Sequence, residues 1–346
     1  MKLLYKTWAV YFLITLVVAI TLVGLINYTV DPLWCFAHAN RFNLKQLAFD
    51  ERQQKANYLM SHVNDYDAII IGSSRLTTMN QYEVKGFKAF NSAVSGMLPN
   101  EFSQYIDFIK RHNSKKIKLI IVGLDFFSSN LNFNGFGGKP LGECFDCAES
   151  DWCKIKGLLT YDELHYSVEN AEFNFKSSAT KPYYTRNNIV KIPNIQGSIR
   201  DANINRDIFT FHTKLYGPAY HYRDFKKTYA DLLEKNKGTR FIVFVTPESS
   251  QLWNLLLKEN LLNYYLRWIN DIVYEFGAVY IFMGKNDITM DKNNFIDGHH
   301  VYPHAGKQIL IKILNLPGAE QIHAGCLVDK NNIKSYINKM HQEYNM

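Results

Sequence analysis

The sequence predicts an α/β fold: a doubly wound, mostly parallel five-stranded sheet preceded by one N-terminal transmembrane helix. Three observations carry that reading. Short, continuous, β-branched apolar runs recur along the chain, the pattern of strands buried on both faces. Helical patterns alternate with them, as crossover helices do between parallel strands. Ahead of them, Thr7 to Val30 carries no charged residue, and a helix needs about 20 apolar residues to cross a bilayer. The 346 residues leave ample length for a core behind that segment.

Within the first element, residues 1–30, the stretch Trp8–Ile26 is almost wholly apolar, and Trp8, Tyr11, Tyr28 and Trp34 sit near its ends. Amphipathic rings favour the membrane interface. A cleaved signal peptide is the rival, since Ala37-His38-Ala39 resembles a cleavage site. The apolar run is longer than a signal h-region, however, and Ala39 lies beyond Asp31 and Pro32, so an uncleaved anchor is expected. Lys2 and Lys6 precede the span while Arg41 and Lys45 follow it, so charge barely discriminates its orientation. The simpler arrangement is a single-pass protein of the cell membrane with its large C-terminal domain extracytoplasmic.

Residues 31–64 read as a connector followed by a helix from about Leu44 to Val63. Its charges (Asp50, Glu51, Arg52, Lys55) suggest a surface position. The α/β domain is expected over 65–320. Its strands are Asp67–Ile71, Ala89–Ala93, Lys118–Leu124, Arg240–Val245 and Ala278–Phe282. Helical patterns cover Asn100–Arg111, Phe225–Lys235, Ser250–Phe276 and His304–Leu314. Right-handed crossovers then bring Ser74, Gly96, Asp125 and Pro247 to one rim, at the carboxyl ends of the strands. Residues 128–224 break the rhythm. Rich in Asn, Gly, Tyr and Ser, with one good helix near Leu158–Asn170, they read as an insertion beside that rim, where long segments often shape a pocket. The remainder, 321–346, reads as a helical tail, amphipathic from Asp329.

A net charge of +7, spread along the chain without a Lys/Arg block or a basic–aromatic module, argues against nucleic-acid binding. Cys144, Cys147 and Cys153 cluster inside the insertion, with Cys35 and Cys326 apart. A disulfide there suits an oxidising compartment and ranks ahead of free thiols and of a zinc knuckle. Five cysteines leave at least one thiol unpaired within the chain.

Two short segments carry chemistry. Asp67 to Ile71 climbs into a buried strand, and Gly72-Ser73-Ser74-Arg75 follows at its carboxyl end. Far downstream stands Asp297-Gly298-His299-His300. A serine hydroxyl needs a general base to act as a nucleophile at neutral pH; histidine suits, and a carboxylate fixes its tautomer. The bland alternatives are a plain glycine turn and an exposed polar loop. His300 and His304 also have zinc-ligand spacing, but no zincin Glu accompanies them.

Taken in order, these blocks resemble the SGNH (GDSL-like) hydrolase superfamily, most closely its membrane-anchored bacterial envelope branches, over roughly residues 65–315. Gly72-Ser73-Ser74-Arg75 stands where the nucleophile block falls, with Ser74 as the nucleophile and Ser73 replacing the usual Asp. Gly96, in Asn91-Ser92-Ala93-Val94-Ser95-Gly96, matches the second block; Asp297 and His300 match the closing Asp-x-x-His. The resemblance implies a flavodoxin-like sheet and a Ser74–His300–Asp297 triad. It further implies a serine esterase or O-acyltransferase acting on acyl esters, acetyl by default, of envelope glycans. No cofactor or metal is implied; a membrane acyl-donor protein is a possible partner. The third block departs from the family: Gly123-Leu124-Asp125-Phe126 carries Asp125 where the family has an oxyanion-binding Asn. Either the Ser74 and Gly96 amides suffice, or Asn91 or Asn130 substitutes, or turnover is lost. The last case would leave a non-catalytic glycan-binding or scaffold protein. Asp125 could also serve as a helix cap. Arg75 is either a contact for an acidic substrate or a surface ion pair.

Overall fold

The computed structural model describes residues 2–135, 140–176, 179–218 and 220–344. Parts of the expected insertion (136–139, 177–178 and 219) and the last two residues of the expected tail lie outside the described residues. The chain divides into two compact units: Met1–Val63 with Lys139–Pro193, and Asn64–Gly138 with Asn194–Met346. The expected insertion is therefore shared between them.

In chain order the strands are β1 (Ala68–Ile71), β2 (Ala89–Asn91), β3 (Leu119–Leu124), β4 (Tyr183–Tyr184), β5 (Val190–Lys191), β6 (Arg240–Val245), β7 (Ala278–Ile281) and β8 (Cys326–Asp329). β4 and β5 form a small antiparallel ladder in the first unit. The other six make one sheet in the second unit, ordered β2-β1-β3-β6-β7-β8. Every neighbouring pair is parallel except β7–β8. The sheet thus has six strands rather than five. β8 occupies an edge where a helical tail was expected, and the helix follows only at Ile333–Glu343. With Val328 buried and Leu327 exposed, four residues carry too short an alternation to be told from helix by pattern.

Every residue of β1 and β3 is buried, as their unbroken apolar runs require. Ile69 faces Ile120 and Ile70 faces Ile121 in the parallel register. Each such side chain contributes about 1.5–3 kcal/mol when fully removed from water. From β1 the chain steps outward to β2, then returns through β3 toward β6 and β7. The strand order therefore reverses beside β1, and a crevice opens there at the carboxyl ends. Gly72-Ser73-Ser74 stands at that point, directly after β1.

The expected helices differ in one break and in number. The long helix expected over Ser250–Phe276 is two, Ser250–Lys258 and Leu262–Phe276, because Asn260 adopts a left-handed φ of 57° between them. The expected insertion holds more helix than its composition suggested: Leu141–Glu149, Asp151–Leu158 and Tyr161–Phe175 in the first unit, Gly197–Thr210 in the second. Ser150 and Thr160 supply the caps that separate the first three, accepting from Cys153 N and Glu163 N.

In the first unit, Lys2–Val30 is one helix, and its segment Tyr5–Val30, whose most apolar 18-residue window has a mean hydropathy of 2.7, is long and apolar enough to cross a membrane. The helix expected from Leu44 starts only at Glu51, where Asp50 accepts from Gln53 N, and runs to Ser61. It is not a surface helix: Gln53 to Leu59 are buried, including Lys55. A side chain that long can lie along apolar surface, and the Lys55 ammonium sits 5.2 Å from the Tyr184 ring centroid.

The turn after β1 presses closely on β3. A Cβ on Gly123 would come within 2.4 Å of Leu76 Cδ1, and one on Gly72 (φ +157°) within 2.8 Å of the Gly123 carbonyl oxygen. Gly123→Ala is expected to cost about 1–3 kcal/mol, the range for overpacking a filled core. Urea denaturation followed by circular dichroism checks this; an unchanged midpoint would mean that Leu76 moves aside freely.

Candidate active site

Ser73 and Ser74 have opposite fates. Ser73 is buried and caps the short 3₁₀ turn Ser74–Leu76, its Oγ accepting from Arg75 N at 3.3 Å. Ser74, the first residue of that turn, turns its hydroxyl outward. Its Oγ lies 2.8 Å from His300 Nε2, and His300 Nδ1 lies 2.7 Å from Asp297 Oδ2. The structure brings together all three residues matched to the triad. With Nδ1 protonated toward Asp297, Nε2 is the acceptor for the serine proton.

The loop that delivers the imidazole is closed on itself. Ile296 N donates to His300 O at 2.9 Å, and Phe295 and Val301 form an antiparallel bridge. Asp297 Oδ1 accepts both the His299 and His300 amides, at 2.9 and 2.8 Å. These bonds fold residues 297 and 300 onto the same side. Ser249 N, just past β6, donates to Gly298 O at 2.9 Å and moors the loop to the rim. Gly298 fits because a Cβ there would meet Leu252 Cδ1 at 3.0 Å and Asp207 Cβ at 3.1 Å.

Electrostatics set the protonation states. Burial pushes the Asp297 carboxyl up, but the adjacent His300 and His299 rings outweigh it and hold it well below the usual carboxylate range. For His300, burial works against protonation, yet the Asp297 charge and hydrogen bond leave its pKa above the ordinary histidine value. His299 goes the other way. Burial and the neighbouring His300 lower it, so it stays neutral.

The remaining sequence candidates separate sharply. Gly96 has φ 63°, and its carbonyl oxygen would lie 3.4 Å from a Cβ on Gly135, a residue of the cavity wall described below. Neither the Ser74 nor the Gly96 amide is engaged in a turn, loop or cap hydrogen bond among the described residues. Asn91 is not a substitute oxyanion donor. Its Nδ2 donates to Leu76 O and Met79 O, both at 2.8 Å, bracing the chain just past Ser74. Asn130 is fully buried, is not in the wall of the cavity beside Ser74, and donates to Leu215 O at 2.9 Å. Asp125 is neither donor nor side-chain cap: Oδ1 accepts from Thr246 Oγ1 at 2.5 Å and lies 3.5 Å from Arg75 Nε. Nor is Arg75 a surface group or a free anion receptor. Only 2% exposed, it donates to Glu248 at 2.8 Å and Thr246 at 3.0 Å, with its guanidinium 4.8 Å from the Phe127 centroid. Burial alone would favour its neutral form, but Glu248 and Asp125 keep it charged.

Ser74 opens into a cavity of about 660 Å³, walled by Phe127, Phe133, Phe211 and Leu215, with Asp207 and His299 among its polar lining. No protein-family model matches this chain. Neither does any curated protein.

Sequence reasoning missed Asp207. Its Oδ2 accepts from Gly298 N at 2.9 Å and lies 3.2 Å from His299 Nδ1, buttressing the loop from the helix Gly197–Thr210. No local pattern marks Asp207, since its burial and its partners appear only in the folded chain. The following segment, Phe211–Tyr216, is π-helical, a form frequent at functional sites; it brings Phe211 and Leu215 to the cavity. Asp297, His299 and His300 offer ligand atoms within 4.8 Å of one another. Both His300 nitrogens and both Asp297 oxygens are already committed to hydrogen bonds, so this donor set fits a proton relay better than a metal. His304 bonds Asn294 Oδ1 instead.

Arg75→Gln should leave the Asp125 and Glu248 carboxylates buried without a cation. A loss of about 3–5 kcal/mol is expected, as when one partner of a buried pair is removed. Chemical denaturation checks it; a loss under about 1 kcal/mol would show that the cluster is not structural.

Proposed function

We propose that this chain is a membrane-anchored, SGNH-type serine esterase or O-acyltransferase, acting on acyl esters, acetyl first, of cell-envelope glycans. The observation that carries the reading is the continuous relay Ser74 Oγ–His300–Asp297, at 2.8 and 2.7 Å, at the mouth of the aromatic-walled cavity. The parallel strand order β2-β1-β3-β6-β7, with Ser74 at its reversal point, agrees with a flavodoxin-like SGNH sheet.

Ser74 Oγ attacks the acyl carbonyl while His300 Nε2 takes its proton. The oxyanion is received by the Ser74 and Gly96 amides. His300 then protonates the departing alkoxide, leaving acyl-Ser74. Water or a glycan hydroxyl attacks next, its proton passes to His300, and His300 returns a proton to Ser74 as the bond breaks. A neutral His299, propped by Asp207, keeps a second positive charge away from His300. With Asp125 consumed by Arg75, the oxyanion site lacks the side-chain donor that such hydrolases use, a deficit typically worth about 3 kcal/mol. That observation favours one second reading, a glycan-binding or scaffold protein that keeps the relay without turnover. The cavity's phenylalanine walls suit a sugar ring under either reading.

Extracytoplasmic placement draws support from the Cys147–Cys153 disulfide, a bond that persists in oxidising compartments. Cys35, Cys144 and Cys326 remain thiols.

A fluorophosphonate probe should label the full-length protein, with labelling abolished in Ser74→Ala and retained in Ser73→Ala. Absence of labelling in folded protein would favour the scaffold reading. Because His300 must be neutral to accept a proton and its pKa is raised, acylation should increase with pH through an apparent pKa above 6.5. Asp297→Asn should move that limb to lower pH and slow acylation by orders of magnitude. Burst kinetics with an acetyl ester across pH measure both, and an acid limb below 6.5 in the parent protein would contradict the assigned base.

A further inference from the structure

The helix Asp151–Leu158 has no buried residue, although it belongs to a compact unit. Its apolar side chains are displayed: Trp152 is 71% exposed, Ile155 52%, and Leu159, at its C-cap, 51%. Positions 152, 155 and 159 follow the i, i+3, i+7 spacing of one helix face. In water such a face is a cost, because aromatic and aliphatic surface stays hydrated.

The position of this helix along the N-terminal span identifies what covers it. Asn27 Nδ2 donates to Leu158 O at 2.8 Å, and Asn27 Oδ1 accepts from Ser167 Oγ at 2.8 Å. Leu159 Cδ2 would lie 3.3 Å from a Cβ on Gly24. A helix rises 1.5 Å per residue, so the apolar stretch Trp8–Ile26 is about long enough to cover a hydrocarbon core of about 30 Å. The Tyr5–Val30 segment is longer than that, and its remaining turns carry the buried Asn27 and Val30, packed by protein. The C-terminal end of the helix Asp151–Leu158, set against Gly24 and Asn27, therefore sits at the depth where acyl chains give way to headgroups. Trp favours that depth, and exposed Lys156 can reach headgroup phosphates. The Cys147–Cys153 disulfide ties the helix to the one before it.

We propose that Asp151–Leu158 is a second membrane element: an interfacial helix lying in the same bilayer that the N-terminal helix crosses, with Trp152, Ile155 and Leu159 immersed. This rests on the membrane-spanning reading of Tyr5–Val30. It assigns the first unit a task distinct from the chemistry of Ser74, that of holding the chain at a fixed depth by two elements instead of one. The interface is bound as amphipathic helices bind it, through apolar area on one face.

The test uses the full chain carrying 5-fluorotryptophan in phosphatidylcholine–phosphatidylglycerol nanodiscs. Fluorine resonances of Trp152 and Trp8 are assigned by their absence in Trp152→Phe and Trp8→Phe. The Trp152 signal is expected to broaden several-fold more with a lipid nitroxide placed shallowly in the acyl chain than with an aqueous gadolinium chelate. Broadening by the chelate and not by the lipid label, while Trp8 responds to the lipid, would overturn the interfacial helix and leave the span intact. If Trp8 also ignores the lipid label, the membrane reading itself fails, and this inference with it.

Discussion

A single buried guanidinium ties together the rim at the carboxyl ends of the strands. Arg75 follows β1, Asp125 follows β3, and Thr246 and Glu248 follow β6; the cation reaches all three strand ends at once. Tyr216, kept neutral by burial and by the neighbouring Glu248, donates to the same carboxylate at 2.5 Å and joins the π-helical segment to the cluster. A charge removed from water is tolerable only when its partners surround it. Arg75 is so enclosed, and the residue next to it in sequence is Ser74. The position of the hydroxyl is thereby coupled to the relative placement of three strands rather than to one flexible turn.

This cluster also gives Asp125 a physical role. An Asn there could not neutralise Arg75, and an Asp cannot donate to an oxyanion. The chain has taken the first property at the expense of the second. The rim is stiffened by the same choice that leaves position 125 without a side-chain donor.

Much of this was legible in the sequence, for reasons that differ by element. β1, β3 and β6 are continuous apolar runs whose bounds follow composition closely. The Ser74, Asp297 and His300 constellation was visible because each lies in a short block with the right strand or loop context. The fates of Asn91, Asn130, Arg75 and Asp125 were not. They depend on which buried carbonyl or carboxylate each meets across the fold, as when Asn91 reaches Leu76 O and Met79 O. Asp207 escaped notice because its partners, Gly298 and His299, are remote in sequence. Lys55 misled the reading of its helix, since charge counts do not reveal a stem laid against an aromatic ring. β8 was too short to declare itself.

The bridge between Phe295 and Val301, with the two amides held by Asp297, makes the acid and the base one prefabricated piece. Bonds within the loop set their mutual geometry, and Ser249 N and Asp207 moor the piece from outside it. Their alignment is therefore a property of spacing: one residue inserted between Asp297 and His300 would disrupt the amide pair that holds the carboxylate beneath the ring.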